Sequence, residues 1–149
     1  MAVKLTLWRT VRCFLLPWNQ RIVIRNWSMR ERVKDIERLY HIEASIGHVM
    51  EFLEGKTFEE MRDDKMRFYA VVYNIMIIGE AANMLTKEFR EEHPETPWRN
   101  IVDMRNVLVH GYYTASPLFI WETYTNDLSP LLEQVKHYIE ELQQIDDNN

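Results

Sequence analysis

Residues 64–85, DKMRFYAVVYNIMIIGEAANML, decide the fold of this chain. Apolar side chains surround most of the helix that this stretch would form: Phe68, Val71, Val72, Ile75, Met76, Ile77 and Ile78. A helix at the surface of a protein keeps its apolar residues in one stripe, whereas a helix that is apolar on most sides is surrounded by others. The stretch therefore predicts a long helix at the centre of an all-helical protein.

The segment before this helix has the period of an amphipathic helix. Between residues 29 and 54, apolar residues recur at three- and four-residue steps until Gly55, a residue type that commonly ends helices. Thr57 and Glu60 then have the spacing of a capping box. This pattern predicts one long helix and one short helix ahead of residue 64.

Prolines mark the starts of the helices predicted after residue 85. We expect Thr96 to be the N-cap and Pro97 the first residue of a helix that Gly111 ends. The predicted helices extend from Trp98 to about His110, from Pro117 after Ser116 to about Asn126, and from Pro130 after Ser129 to about Gln144. Because no strand pattern or internal repeat competes, we expect an all-α antiparallel bundle of four to five helices.

Composition limits the classes of function. The chain has 149 residues, of which 46% are hydrophobic, and only 4 Gly and 5 Pro, as expected for one domain of long helices. The single cysteine, Cys13, cannot form an internal disulfide and suits the reducing cytoplasm, where we expect the protein. The net charge of -5 argues against a general nucleic-acid coat protein. An RNA ligand would therefore have to be bound locally.

The first 28 residues differ from the rest of the chain in charge. They contain no acidic residue and these basic ones: Lys4, Arg9, Arg12, Arg21 and Arg25. Their apolar stretch is short and includes Pro17, which argues against a signal peptide and a transmembrane span. We expect a basic leader at 1–28, a helical domain at 29–145 and a frayed acidic tail at 146–149. One hypothesis makes Met29 the natural start; its rival is a basic arm that contacts RNA or a membrane.

The predicted helix that starts at Trp98 ends in a group of residues that could carry out catalysis. Arg105 is followed five residues later by His110, and Tyr112 follows that histidine. Arginine is always charged and can bind a phosphate, while histidine can accept and donate a proton near neutral pH. Together they suit cleavage of a phosphodiester by the neighbouring 2′-hydroxyl, without a metal. This is a hypothesis of metal-independent RNA cleavage.

Each of these residues also has a structural interpretation. Arg105 could be the partner of Glu80, an acid in an otherwise apolar helix that would need one when buried. His110 could cap a helix end, and Tyr112 could be a packing residue. His41 and His48 have no third ligand nearby in sequence, and other aromatic residues could stack on RNA bases but are better explained as core: Trp98, Phe119, Trp121 and Tyr124.

Helical geometry separates the arginine from the histidine. Five residues turn an ideal helix about 140° beyond a full circle, so Arg105 and His110 do not share a face. Asn106 lies four residues before His110 and is well placed to hold the imidazole. Either the helix unwinds at His110 ahead of Gly111, or a two-fold dimer completes the site with the partner's motif. We favour the dimer.

Several segments together resemble a known family. In order, they are FLEGKTFEEM (52–61), NIMIIGEAANML (74–85), HPETPWRNIVDMRNVLVHGYY (93–113) and IWETYTNDLSPL (120–131). With the Arg-x4-His-x-Tyr run, they are similar to segments of the HEPN superfamily, specifically the HepT toxin family. The resemblance covers roughly residues 29 to 142.

This resemblance implies a function. HepT-like proteins are helical ribonuclease toxins that dimerise and are silenced by MntA, a nucleotidyltransferase antitoxin that transfers AMP to the motif tyrosine. Carried over, Arg105 and His110 would be catalytic and Tyr112 modified, with Tyr113 open as a second acceptor. Asn106 and Glu80 would support them, and no cofactor or metal is implied. The alternatives are a non-catalytic nucleotide- or substrate-binding partner of a nucleotidyltransferase and a structural oligomerising bundle.

Overall fold

The computed structural model describes residues 18–111 and 115–147, with their side chains from Lys34 onward except at residue 146. All regular elements in these ranges are helical, as the sequence predicts. They are α1 Trp18–Leu53, α2 Phe58–Asp63, α3 Lys65–Met84, α4 Lys87–Glu92, α5 Trp98–His110, α6 Pro117–Glu122, a π-helical turn Thr123–Asp127, and α7 Leu128–Asp147. The fold within the described residues is a helical bundle.

The chain divides into two compact units, Met1–Lys34 and Asp35–Asn149. The described part of the first unit, residues 18–34, is helical. The predicted first helix starts near Met29, whereas α1 starts at Trp18. Residues 18–28 contain neither glycine nor proline, so nothing in their sequence breaks a helix there. The core and the candidate site described below belong to the second unit.

Helix α3 has the central place predicted for it. It contacts α2, α5 and α6, and its most extensive helix contact is with α5. Its buried residues are Val71, Val72, Asn74, Ile75, Ile78, Gly79, Ala81 and Ala82. One side of α3 nevertheless remains exposed, because Met66, Tyr69, Tyr73 and Met84 are more than half accessible to solvent. The helix is therefore central but has an uncovered apolar side.

The short elements around α3 follow local capping rules. Thr57 accepts a hydrogen bond from the backbone N–H of Glu60, whose carboxylate accepts one from Thr57, so the predicted capping box is confirmed. Asp64 caps the start of α3. The sequence analysis missed α4, which begins after Thr86 as its N-cap. The carboxylate of buried Asp35 accepts hydrogen bonds from both the backbone and the hydroxyl of Thr86, which fixes α4 against α1.

The predicted N-cap of one later helix and the predicted start of another are wrong. Thr96 does not cap α5, because its hydroxyl is hydrogen-bonded to Gln134 and Tyr138 of α7 instead. Pro130 does not start a helix but is the third residue of α7. The π-helical turn joins α6 to α7 without a break, and α7 continues to Asp147, past the predicted end.

Candidate functional site

A close contact between α3 and α5 positions the predicted catalytic arginine. At Gly79, an added Cβ would overlap the Cβ of Arg105 and lie 3.0 Å from the backbone oxygen of Ile101. Any larger residue at position 79 would therefore push α5 away from α3. The glycine lets the two helices approach each other at the turn that carries Arg105.

The guanidinium of Arg105 is held by two neighbours. Its Nη2 lies 2.8 Å from Oε2 of Glu80, an oxygen that is shielded from solvent. Its Nη1 donates a hydrogen bond to Oδ1 of Asn106 at 2.9 Å. The arginine side chain is 28% exposed. Because these contacts use only two of the five N–H donors of a guanidinium, the group can still bind an anion from the solvent side.

These contacts test two of the sequence-based expectations. The expected pairing of Glu80 with Arg105 is confirmed. The expected contact of Asn106 with the imidazole of His110 is wrong, since the amide oxygen faces Arg105 instead. A hydrogen bond whose donor is charged is stronger than one between neutral groups, and the guanidinium of Arg105 is always charged, which explains the preference. Asn106 therefore supports the arginine rather than the histidine.

His110 is the last residue of α5, and its side chain is exposed. The backbone N–H of Gly111 donates to the oxygen of Val107 at 2.8 Å, which closes the helix at Gly111 as predicted. The helix does not unwind at His110, so that way of bringing Arg105 and His110 together is absent from the structure. The ideal turn of about 140° still separates them. Tyr112 and Tyr113 lie outside the described residues.

The start of α5 is fixed by a polar and aromatic cluster that sequence reasoning missed. The hydroxyl of Tyr138 donates to Oε1 of Glu95 at 2.7 Å and lies 2.7 Å from the hydroxyl of Thr96. Trp98 donates its indole N–H to the backbone oxygen of His93, whose ring packs 4.2 Å from that of Tyr138 between centroids. The residues 93–98, HPETPW, gave the available signal, but their partner lies about forty residues later.

Burial and hydrogen bonding change the acidity of this cluster. Burial raises the pKa of Tyr138 to about 12, with the neighbouring carboxylate of Glu95 acting in the same direction. The hydrogen bond from Tyr138 lowers the pKa of Glu95, and His93 adds to that effect. The neutral phenol and the ionised carboxylate are therefore the stable pair, and they fix the first turn of α5 against α7.

The other residues considered as functional candidates have mainly structural roles. His41 is exposed, and His48 lies 3.3 Å from the amide oxygen of Asn74. Among the side chains that the structure describes, no group of three His, Cys, Asp or Glu residues could hold a metal ion. Trp98 is buried, and Trp121 and Tyr124 pack against the core, as expected. Phe119 differs, because it is 43% exposed.

A further finding concerns membranes. Of the helices in the described part of the chain, none combines the length and the apolar character needed to cross a bilayer.

Comparison with known proteins places this chain in a family. The model of the ribonuclease HepT-like family matches residues 42–138. A protein of Caldanaerobacter subterraneus subsp. tengcongensis, provisionally named an RNase, is 37% identical over 68% of this chain and 91% of its own length. A Methanocaldococcus jannaschii protein with the same provisional name is 34% identical over 66% of this chain and 90% of its own.

A third relative carries the family name itself. "Probable ribonuclease HepT" of Thermococcus cleftensis is 34% identical over 62% of this chain and 84% of its own length. A comparison with solved structures finds no significant match. The family match and these relatives define the class as an endoribonuclease. The chain belongs to the ribonuclease HepT-like family of the HEPN superfamily.

Proposed function

We propose that this protein is a metal-independent ribonuclease toxin of a toxin–antitoxin pair, with Arg105 and His110 as its catalytic residues. The observation that carries the proposal is the seating of Arg105. It is pressed against α3 at Gly79, ion-paired with Glu80 and hydrogen-bonded to Asn106, yet partly open to solvent. A fixed, accessible guanidinium is suited to a phosphate of RNA.

In the proposed reaction, the 2′-oxygen of one nucleotide attacks the adjacent phosphorus and the bond from phosphorus to the 5′-oxygen breaks. A histidine takes the 2′-hydroxyl proton, and a second histidine protonates the leaving 5′-oxygen. The products are a 2′,3′-cyclic phosphate and a 5′-hydroxyl. Arg105 stabilises the charge that develops on the non-bridging oxygens, while Glu80 and Asn106 orient its guanidinium.

The need for two histidines leads to the proposed homodimer. Because α5 stays helical through His110, one chain presents Arg105 and His110 on different faces. The exposed residues Met66, Tyr69, Tyr73 and Met84 recur at helical spacing on α3. An uncovered apolar side of this kind favours association between proteins. A two-fold contact near this side would bring a His110 from each chain to the arginines.

Regulation by an MntA-like nucleotidyltransferase is proposed from family membership and from the position of Tyr112. That tyrosine is two residues after His110 in sequence. AMP attached there would add a bulky anion two residues from His110 in sequence, and this anion would repel and obstruct RNA. We also propose a hetero-oligomer with this antitoxin in the cytoplasm.

A second candidate function is nucleotide binding without cleavage, as the partner of a nucleotidyltransferase. The distance around α5 between Arg105 and His110 favours it, because one chain alone does not bring both to a single phosphate. In this alternative, Arg105 would bind a nucleotide phosphate and His110 would have no chemical role.

The test is a cleavage assay on total RNA in the presence of EDTA, with unmodified full-length protein. We expect His110→Ala and Arg105→Ala each to lose at least about 100-fold in rate, as is usual when a general acid–base or charge-stabilising group is removed. The matched controls are His41→Ala, an exposed histidine on α1, and Arg99→Ala, an arginine of α5 with a 92% exposed side chain.

Full activity in the control variants and its loss in the two motif variants would support the proposal, provided that circular dichroism shows all four to be folded. Cleavage that persists in His110→Ala would contradict the assignment of the histidine. Folded wild-type protein that cuts no RNA but binds AMP through Arg105 would favour the second candidate.

A further inference from the structure

A cavity of about 420 Å³ lies beside α5, on the side where this helix approaches the π-helical turn and α7. Its floor is apolar and is formed by side chains that include Ile75, Ile78 and Leu131. Polar side chains also line it, among them Asn100, Asn126 and Asp127. The cavity has the size and the mixed lining of a small-molecule site.

The π-helical turn supplies two of the polar groups. The backbone N–H of Leu128 bonds five residues back to the oxygen of Thr123, and the hydroxyl of Thr123 donates to the oxygen of Phe119 at 3.0 Å. This wide turn places Asn126 and Asp127, both exposed, at the cavity. Turns of this kind are rare and often occur at functional sites.

The charges of the cavity restrict its ligand. None of the described residues that line it is Lys, Arg or His, and Asp127 is the acidic one among them. A phosphate would find no cation there and would be repelled by the carboxylate. The ligand group is therefore not an anion, and it offers a hydrogen-bond donor to Asp127.

A nucleobase has the matching chemistry. Its flat face can stack on an aromatic ring, and Phe119, which lines the cavity, is 43% exposed. Its edge carries donors and acceptors that amides such as those of Asn100 and Asn126 can read. A carboxylate accepts from an exocyclic amino group, as on adenine or cytosine, but not from the carbonyl that uracil or hypoxanthine has at that position.

The cavity is also close to the proposed catalytic arginine. Ile101 and Met104 of α5 line it, and Arg105 is the next residue on the same turn. The separation is therefore on the order of one helix diameter, about 10 Å. Neighbouring nucleotides of one flexible RNA strand can occupy both places.

We propose that this cavity binds a base of the RNA substrate and selects bases with an exocyclic amino group. The proposal rests on the RNA cleavage proposed for Arg105 and His110 and adds a determinant of where the strand is cut. Asp127 is the selecting residue, Asn100 and Asn126 read the rest of the base edge, and Phe119 stacks on its face.

The first experiment measures nucleoside binding, which needs no cleavage. Adenosine carries an amino group at position 6 and an unprotonated N1, whereas inosine carries a carbonyl at position 6 and a hydrogen on N1. In titrations of the full-length protein followed by NMR, we expect adenosine to bind at least about 5-fold tighter than inosine, the lower end of discrimination by a good hydrogen-bonded base contact. The shifted backbone signals should include those of residues 126 and 127.

Variants then test the selecting group. Asp127→Asn introduces an amide that can donate to the inosine carbonyl, so the ratio of the two affinities should fall to about 1 or reverse. Asn83→Ala, which changes an exposed amide of α3 away from the cavity, should leave the ratio unchanged. Equal binding of both nucleosides to the wild type, or shifts confined to residues outside the cavity, would overturn the proposal.

Cleavage mapping separates this proposal from the proposed function. On an RNA of random sequence, the wild type should prefer an amino-bearing base at a fixed distance from the cut, and Asp127→Asn should lose that preference. If the protein selects adenosine but cuts no RNA, the base site stands and the proposed nuclease fails. If it cuts RNA without any base preference that Asp127→Asn changes, the base site fails alone.

Discussion

The two ends of α5 differ in how they are held. Its start is buried, with Trp98 bonded to the backbone of His93 and Thr96 bonded to Tyr138 and Gln134 of α7. Its other end is exposed at His110, where a backbone hydrogen bond from Gly111 closes the helix. One helix therefore combines a rigid beginning with an accessible end.

This difference matches the different demands on the two motif residues. Arg105 lies where α5 is pressed against α3, so its guanidinium has a fixed position. A fixed charge stabilises a transition state better than one that must reorganise. His110 lies where a substrate or a second protein chain can reach it. The proposed role of Arg105 therefore depends on packing, whereas the proposed role of His110 depends on access from solvent.

The largest expected effect is from Gly79→Ala. Its methyl group would overlap Arg105 and crowd the backbone of Ile101, and such overpacking costs about 1–3 kcal/mol. The matched control is Gly47→Ala on α1, where an added Cβ meets nothing within 4 Å. Because alanine favours helices more than glycine does, this control should gain about 0.5–1 kcal/mol. Urea unfolding of both variants measures the two free energies.

The rate of RNA cleavage by Gly79→Ala gives a second test of the same contact. If the position of Arg105 depends on its contact with α3, Gly79→Ala should also lose RNA cleavage at temperatures where it is fully folded. A folded Gly79→Ala variant with unchanged stability and unchanged rate would break the comparison, because it would mean that the arginine does not need this contact.

The sequence could predict those features of the fold that depend on residues close together along the chain. The central helix, the capping box at Thr57 and the end of α5 at Gly111 follow from spacing within a few residues, and all three are confirmed. The pairing of Glu80 with Arg105 was expected from the rule that a buried acid needs a partner, and it forms although the Glu80 side chain is 45% exposed and only its Oε2 is shielded.

What sequence could not predict depends on contacts distant along the chain. Thr96 has the residue type and the position of an N-cap, yet its hydroxyl is hydrogen-bonded to Tyr138, which lies 42 residues later. Asn106 has the right spacing for His110, but the adjacent charged guanidinium is the stronger donor. Pro130 has the residue type of a helix start, but the helix continues through it from the π-helical turn. For Thr96 and Asn106, a rule based on local spacing was overridden by a distant contact or by a stronger neighbouring donor.

A smaller effect is expected at the buried start of α5. Tyr138→Phe removes the hydroxyl that donates to Glu95 and contacts Thr96, and loss of such a buried hydrogen bond costs about 1–2 kcal/mol. The measurement is urea unfolding at pH 8, with Tyr69→Phe, a 58% exposed tyrosine on α3, as the control. Equal stability of the two variants would contradict a rigid start of α5.

The pH dependence of that effect has a definite sign. Burial raises the pKa of Tyr138 from 10.0 to about 12, so the folded protein keeps the phenol proton to higher pH than the unfolded chain does. Its contribution to stability is therefore complete below pH 10 and is lost as the pH rises through 12. The stability difference between the wild type and Tyr138→Phe should shrink over this window. A difference that grows from pH 10 to 12 would show that the hydroxyl is not buried as described.

The smallest effect is expected at the exposed end of α5. Gly111 has φ −123°, a conformation open to any residue, whereas Gly55 has φ 67°, which favours glycine. Gly111→Ala should therefore change the free energy of unfolding by no more than about 0.5 kcal/mol, while Gly55→Ala should lose about 1 kcal/mol. Since His110 needs access rather than packing, RNA cleavage by Gly111→Ala should also stay close to the wild-type rate. A stable but inactive Gly111→Ala variant would show that the histidine depends on the backbone that follows it, and the contrast between the two ends would then concern stability alone.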